Sequence, residues 1–393
     1  SKYMNRGPFS RLRGRRSFLP LHTSSGKLCG GLLKSKKRKK KANNGNKRII
    51  LFVIEMIVLV VLLVVLYMVL KADKVNKISI DKENIVVNET VENNVTLKGY
   101  RNIALFGVDA RDKSLGKGNR TDTIMIASVN QETGDIKLLS VYRDTYLNLG
   151  NDTYNKCNAA YAKGGPEQAI NMLNMNLDLN IEDYVTVGFT GLIETIDAIG
   201  GVEIEILEEE IRHLNNYQIS MVGTSTEGKT FTATEGKDYT AVTRAGKQNL
   251  NGLQATAYCR VRQVGDDFMR AQRQREVIKA IADEAKKANA SSLTKIANDV
   301  FPEIYTSLKL EEILSLLTEI AKYEIVDEGG FPDESMRVVG NIGSAGSCVV
   351  PTSLEDNVIW LHQFLFEDEG YIPSEEVKTY SNKVYSDTNK YLQ

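Results

Sequence analysis

Two carboxylates and a set of arginines stand at the edges of short β-rich runs. Asp109 directly follows the run at 102–108 (NIALFGV), within FGVDARD. Asp122 directly precedes the run at 123–129 (TIMIASV), within GNRTDTIMI. If those runs are neighbouring strands of one sheet, their ends bring both carboxylates to one rim. Two carboxylates completed by phosphate oxygens and water are a donor set that suits Mg²⁺. The other reading is that both aspartates cap turns, and spacing alone leaves the two open.

The arginines are more informative. Arg120 stands two residues before Asp122, and Arg143 and Asp144 follow the run at 136–141 (IKLLSV). Arg260 and Arg262 are two apart in AYCRVR, so an extended backbone puts them on one face. Arg270 and Arg273 are i, i+3 on the helix expected next, with Gln274 at i+4 from Arg270. Arg275 points about 140° away from Arg270 on such a helix and reads as a surface charge. A guanidinium offers a planar bidentate fork to phosphate, so a converging set indicates a polyphosphate ligand. Taken singly, each arginine could be solvated or ion-paired. No GxxxxGK[ST] loop is present to cradle phosphate instead.

These groups need a scaffold. The three runs above read as strands, the second and third joined by the hairpin-like NQETGD at 130–135. Residues 166–177 read as a helix with Pro in its first turn. Residues 184–189 read as a strand, 190–199 as a helix stopped by Gly200 and Gly201, and 202–206 as a strand. Helices are expected at 267–287, 310–323 and 354–366, the last with Ser353 as N-cap. Residues 215–247, rich in Gly, Thr and Ser, read as an insertion or hairpin. The alternation predicts an α/β fold, a central sheet with helices layered on it.

The chain has 393 residues, with 50 Lys plus Arg against 50 Asp plus Glu. The zero balance hides a strong asymmetry. Residues 1–48 carry 16 basic and no acidic side chains; residues 71–393 carry 34 basic and 49 acidic, a net of −15. Between them, IILFVIEMIVLVVLLVVLYMVL at 49–70 holds one charge, Glu55. Twenty-two helical residues reach about 33 Å, enough for a hydrocarbon core of about 30 Å. The basic flank predicts a cytoplasmic N-terminus and an external domain, a single-pass anchor in the cell membrane. The run exceeds the 7–15 apolar residues of a cleaved signal peptide. The basic tail lacks interleaved aromatics, which argues against a nucleic-acid partner and for a solvated arm near anionic lipid. The expected order is a basic tail (1–48), a transmembrane helix (49–70), a stalk (71–98), a catalytic α/β domain (99–372) and a loose polar tail (373–393).

Other chemistries find little support. Three histidines without HExxH argue against a zinc peptidase or a Ser-His-Asp hydrolase. Without CxxC, neither a zinc ribbon nor a thioredoxin-type site is supported. Cys157, Cys259 and Cys348 permit one bridge, for which Cys259 with Cys348 is one option.

In order after the apolar run, GVDARD…NRTDT, SVYRDT, KCNAAYAKGG and YCRVRQVGDDFMRAQRQRE resemble the LytR–CpsA–Psr family of membrane-anchored cell-wall ligases. The resemblance spans about residues 100–371. Tyr142 stands where the family commonly has Pro, and Cys157 where an aliphatic residue is usual. The resemblance implies a layered α/β/α domain with a central mixed sheet. It implies a phosphotransferase moving a glycopolymer, such as teichoic acid or capsule, from a polyprenyl-pyrophosphate carrier to peptidoglycan, with release of polyprenyl phosphate. Carried over by motif, Asp109 and Asp122 would hold Mg²⁺ or another divalent cation such as Mn²⁺. Arg120, Arg143, Arg260, Arg262 and Arg270 would line the pyrophosphate pocket, with Gln274 alongside and Lys156 approaching it. Asp122, Arg120 and Arg143 would be the catalytic residues, Asp122 doubling as a base for the acceptor hydroxyl. The alternatives are an enzyme that only hydrolyses lipid pyrophosphates, or a non-catalytic glycopolymer-binding or regulatory protein.

Overall fold

The computed structural model describes residues 80–110, 114–226 and 230–392. The basic tail, the apolar run at 49–70 and the first part of the stalk lie outside them. Among the described residues no helix is long and apolar enough to cross a membrane.

Six strands build the central sheet: β1 (Tyr100–Val108), β2 (Thr121–Asn130), β3 (Asp135–Val141), β4 (Asp183–Val187), β5 (Ile304–Thr306) and β6 (Glu324–Phe331). Their order is β5-β4-β1-β2-β3-β6. β1, β2 and β3 form an antiparallel meander. β4 joins β1 and β6 joins β3 in parallel, while β5 runs antiparallel to β4. The sheet is therefore mixed, as expected. Its two-residue alternation assigns the faces. Ala104, Phe106 and Val108 point into the larger core, whereas Leu105 and Gly107 are half-buried on the other side.

On the larger-core face lie α1 (Ala159–Leu177) and, later in the chain, a helix at Leu354–Phe366. Met172, Leu173 and Leu361 pack there with Phe106, Ile126 and Leu139. The opposite face carries α2 (Phe189–Ala198), α3 (Glu208–Val222), α4 (Gly252–Tyr258) and α5 (Asp267–Ala285). Ile196, Leu214, Ala257 and Val277 form a second core there. The outcome is an α/β/α sandwich. The helix at 354–366 is α6, N-capped by Ser353 as its sequence indicates. The Asp266 side chain accepts from the backbone N–H groups of Phe268 and Met269, which caps α5 so that it starts at Asp267 as expected. Such a cap is worth about 1 kcal/mol and fixes the turn that presents Asp267 and Arg270.

Several expectations need correction. α1 begins at Ala159 and kinks at Gly165 (φ 70°), and Pro166 opens only its second half. Residues 202–206 do form a strand, but it pairs with Gly246–Leu250 in a separate ribbon. Residues 215–222 belong to α3, and only Thr224–Thr226 with Thr230–Thr232 make a hairpin. The end of the stalk is part of the domain, because Val91 and Leu97 are buried in its core. The tail is not loose: α7 (Glu375–Leu392) buries Val377, Val384 and Thr388.

The two ends of the described domain meet at one buried carboxylate. Asp178, in left-handed conformation after α1, accepts from Asn88 Nδ2 (2.6 Å), Ser374 N (2.8 Å) and Ser374 Oγ (2.7 Å). Three donors satisfy a carboxylate that would otherwise be prohibitively costly to bury.

Candidate active site

Because β1 and β2 are antiparallel neighbours, the end of one meets the start of the other, with Val108 opposite Thr121. Asp109 and Asp122 therefore share a rim, and both line one cavity of about 490 Å³. Gly107 lies in its floor. A Cβ there would come within 2.9 Å of Thr123 Cβ, so only glycine leaves this strand pair undisturbed.

Asp122 is the hub of the polar mouth. Arg143 Nη1 donates to its Oδ1, and Arg262 Nη2 lies 3.8 Å from its Oδ2. Arg270 Nη2 is 3.4 Å from the Asp122 carbonyl oxygen. Asp267 Oδ1 lies 3.4 Å from Arg270 Nη1 and 3.8 Å from Arg262 Nε. Burial works against the Arg143 charge, but Asp122, Asp144 and Asp267 outweigh it and hold the pKa above the ordinary arginine value. Arg270 goes the other way: burial first, then Arg143 and Arg262, press its pKa down to about 10. It remains charged at neutral pH, but its charge is under-compensated, which is the electrostatic signature of an anion site. The buried Nε of Arg270 makes no hydrogen bond, leaving one N–H donor unused, and Arg143 Nε has only the Asp144 carboxylate at 3.6 Å.

The residues singled out from sequence thus separate into groups. Asp109, Asp122, Arg260, Arg262, Arg270 and Gln274 line the cavity. Arg143 lines a small cleft that shares Asp122, Thr123, Arg270 and Gln274 with it. Lys156 lies one step further out, its Nζ 3.4 Å from Asp144 Oδ1, and Asp144 in turn is 3.6 Å from Arg143 Nε. Arg120 is exposed in the segment before β2 and lines neither space. Arg260 and Arg262 do not sit on a strand. α4 ends at Tyr258, and Arg260 N donates to Ala257 O across a turn. Arg273 and Arg275 are buried structural residues: Arg273 pairs with Glu210 at 2.7 Å, and Arg275 Nη1 donates to Ser140 Oγ at 2.9 Å.

Behind the mouth the cavity is apolar. Leu105, Val185 and Val187 come from the sheet, Phe189 and Leu192 from α2, Val277, Ile278 and Ile281 from α5, with Val300 and Ile304 beyond. Sequence reasoning named none of these as site residues. Their pattern, alternate positions on β1 and β4 and one stripe on α5, is also that of ordinary core.

A model of the LytR_cpsA_psr family matches residues 62–344. The chain belongs to the LytR_cpsA_psr family. A polyisoprenyl-teichoic acid–peptidoglycan teichoic acid transferase TagU from Oceanobacillus iheyensis is 33% identical over 231 residues, covering 56% of this chain and 62% of that protein. The same-named protein of Enterococcus faecalis is 30% identical over 241 residues, covering 60% and 71%. The LytR-CPS2A-psr family protein YwtF (TagT), solved with bound octaprenyl pyrophosphate lipid, aligns with a TM-score of 0.51 at 19% identity over 73% of this chain and 99% of that one. That likeness establishes the fold.

Two further features of this LytR_cpsA_psr domain bear on the site. Cys157, Cys259 and Cys348 are free and buried, so the Cys259–Cys348 bridge is not formed. They sit in three different clusters, and burial pushes the Cys259 thiol up to about 12 and the Cys348 thiol up to about 11. Among the described residues, no group of three or more His, Cys, Asp or Glu gathers as a metal cage. The rim instead offers Asp109 and Asp122, the sparse carboxylate set that Mg²⁺ takes when ligand phosphates complete its shell.

Proposed function

We propose that this chain transfers a glycopolymer from a polyprenyl-pyrophosphate carrier to a peptidoglycan sugar hydroxyl. One observation carries the reading: a single cavity joins an apolar body to an arginine-lined mouth, matching a molecule with a prenyl tail and a pyrophosphate head. The acceptor oxygen forms a new bond to the glycan-side phosphorus, the bond from that phosphorus to the bridging oxygen breaks, and polyprenyl phosphate leaves. Such a displacement needs positioning and charge neutralisation more than a covalent nucleophile. Arg143, Arg260, Arg262 and Arg270 bind and neutralise the pyrophosphate, Gln274 donates beside them, and Asp122 accepts the hydroxyl proton. Asp109 and Asp122 would hold Mg²⁺, which supplies further neutralisation of phosphate charge. The names of the TagU relatives point to teichoic acid as the polymer. The apolar run at 49–70 would anchor the domain on the outer face of the cell membrane, within reach of the lipid-held donor.

The test uses the full chain in phospholipid nanodiscs with a polyprenyl-pyrophosphate glycan, Mg²⁺ and peptidoglycan oligomers. Polymer-linked product, lost on chelation of the cation, is the expected result. Free phosphorylated glycan would mean hydrolysis alone, and an unchanged donor would reject enzymatic function.

A further inference from the structure

Arg260 differs from its neighbours in how it is held. Arg143, Arg262 and Arg270 each approach a carboxylate. Arg260 has no ion pair among the described residues. Its guanidinium instead lies over two aromatic rings, Cζ 4.4 Å from the Phe189 centroid and 5.3 Å from that of Tyr217. Phe189 opens α2 directly after the Gly188 cap, and Tyr217 comes from the middle of α3, so two separate helices hold one cation. All three residues line the cavity that also holds Asp122, Arg262 and Arg270.

Contacts of this kind use the π faces of a guanidinium and leave its N–H edge free. They also keep the charge half-buried without cancelling it, as a carboxylate would. A bidentate acceptor such as phosphate completes that arrangement. We propose that Phe189 and Tyr217 form an aromatic bracket that aims Arg260 at the phosphate nearest the prenyl tail. They are positioning residues, acting through Arg260. The proposal rests on the cavity being a lipid-pyrophosphate site.

The test measures binding of geranyl pyrophosphate and of geraniol to the full chain in nanodiscs. Tyr217→Leu and Phe189→Leu are each expected to weaken the pyrophosphate by about tenfold more than they weaken geraniol. Tyr217→Phe keeps the ring and is expected to restore binding. In an Arg260→Gln background the Leu substitutions should have no further effect, because the guanidinium they position is gone. Equal losses for pyrophosphate and alcohol, or full additivity with Arg260→Gln, would overturn the bracket and leave the site reading standing. Failure of the unaltered protein to bind geranyl pyrophosphate would overturn both. The two Leu variants sit on different helices, so misfolding of one leaves the other to decide.

Discussion

Arg143 donates through Nη1 to Oδ1 of Asp122, tying the segment after β3 to the second residue of β2. Both side chains keep some solvent contact, 20% and 29% exposed, so the pair itself contributes about 0–1 kcal/mol to stability. Its value is geometric. Arg143→Lys, which loses the planar fork, should lower kcat by about 10²-fold, and Asp122→Asn by at least as much. The thermal midpoint should move by only a few degrees. Near-normal turnover in both variants would refute their placement at the reacting phosphate.

Arg270 predicts a conflict between stability and binding. Its depressed pKa, about 10, means that the folded state holds the charged form less well than the unfolded chain does. Below pH 10 this penalty is constant; as pH rises further the unfolded chain binds the extra proton, so the penalty is progressively relieved. Arg270→Gln should therefore raise the stability of the ligand-free protein, by an order-of-magnitude 1–3 kcal/mol, while weakening pyrophosphate binding at least about tenfold. Chemical denaturation and calorimetric titration of one preparation check both halves. A destabilised variant that binds normally would contradict the assignment.

Arg273, three residues along the same helix, should behave oppositely. It is 2% exposed and also donates to the carbonyls of Val261 and Val264, in the loop that carries Arg262. Arg273→Met leaves the Glu210 carboxylate buried without its cation and should lose about 3–5 kcal/mol. Adding Glu210→Leu should recover most of that loss, since the stranded charge goes too. Denaturant midpoints of the single and double variants provide the measurement.

His362 makes stability pH-dependent in mild acid. Burial depresses its pKa to about 4, and the ring stacks 3.4 Å from Tyr371 with Nε2 3.1 Å from Leu177 O. The unfolded chain takes up a proton near pH 6.5 and the folded one only near 4. Stability is therefore fully present above about pH 6.5 and falls towards pH 4, by roughly 3 kcal/mol in total. The variant His362→Phe should show a flatter dependence in that window, whatever its absolute stability. An unchanged slope would show that other groups carry the acid sensitivity.

How far the sequence was legible depends on where each residue's partner lies. β1, β2 and β3 could be read because each is a short apolar run with turn residues between, and their antiparallel pairing brought Asp109 and Asp122 to one rim as anticipated. Arg273 and Arg275 could not be read correctly, because helical spacing gives direction and not depth. Their partners, Glu210, Ser140 and Glu328, are distant in sequence. α7 was obscured by its many Lys, Glu, Asp and Asn residues. Its sparse buried positions, Val377, Val384 and Thr388, are outnumbered in any average. The cavity was invisible for a different reason: apolar residues around empty space carry the same pattern as apolar residues around each other.

The Asp178 junction has a consequence for how the domain is made. A chain is synthesised from its N-terminus, so Asn88 and Asp178 emerge long before Ser374. Until then the carboxylate lacks two of its three donors, and α7 is not there to cover its side of the domain. A growing chain can pair β1 to β4 early, but it cannot close around Asp178 until Ser374, which follows all six strands, has been delivered. Closure at this carboxylate is therefore a late event in synthesis, coming after all six strands of the sheet and α6 have been made.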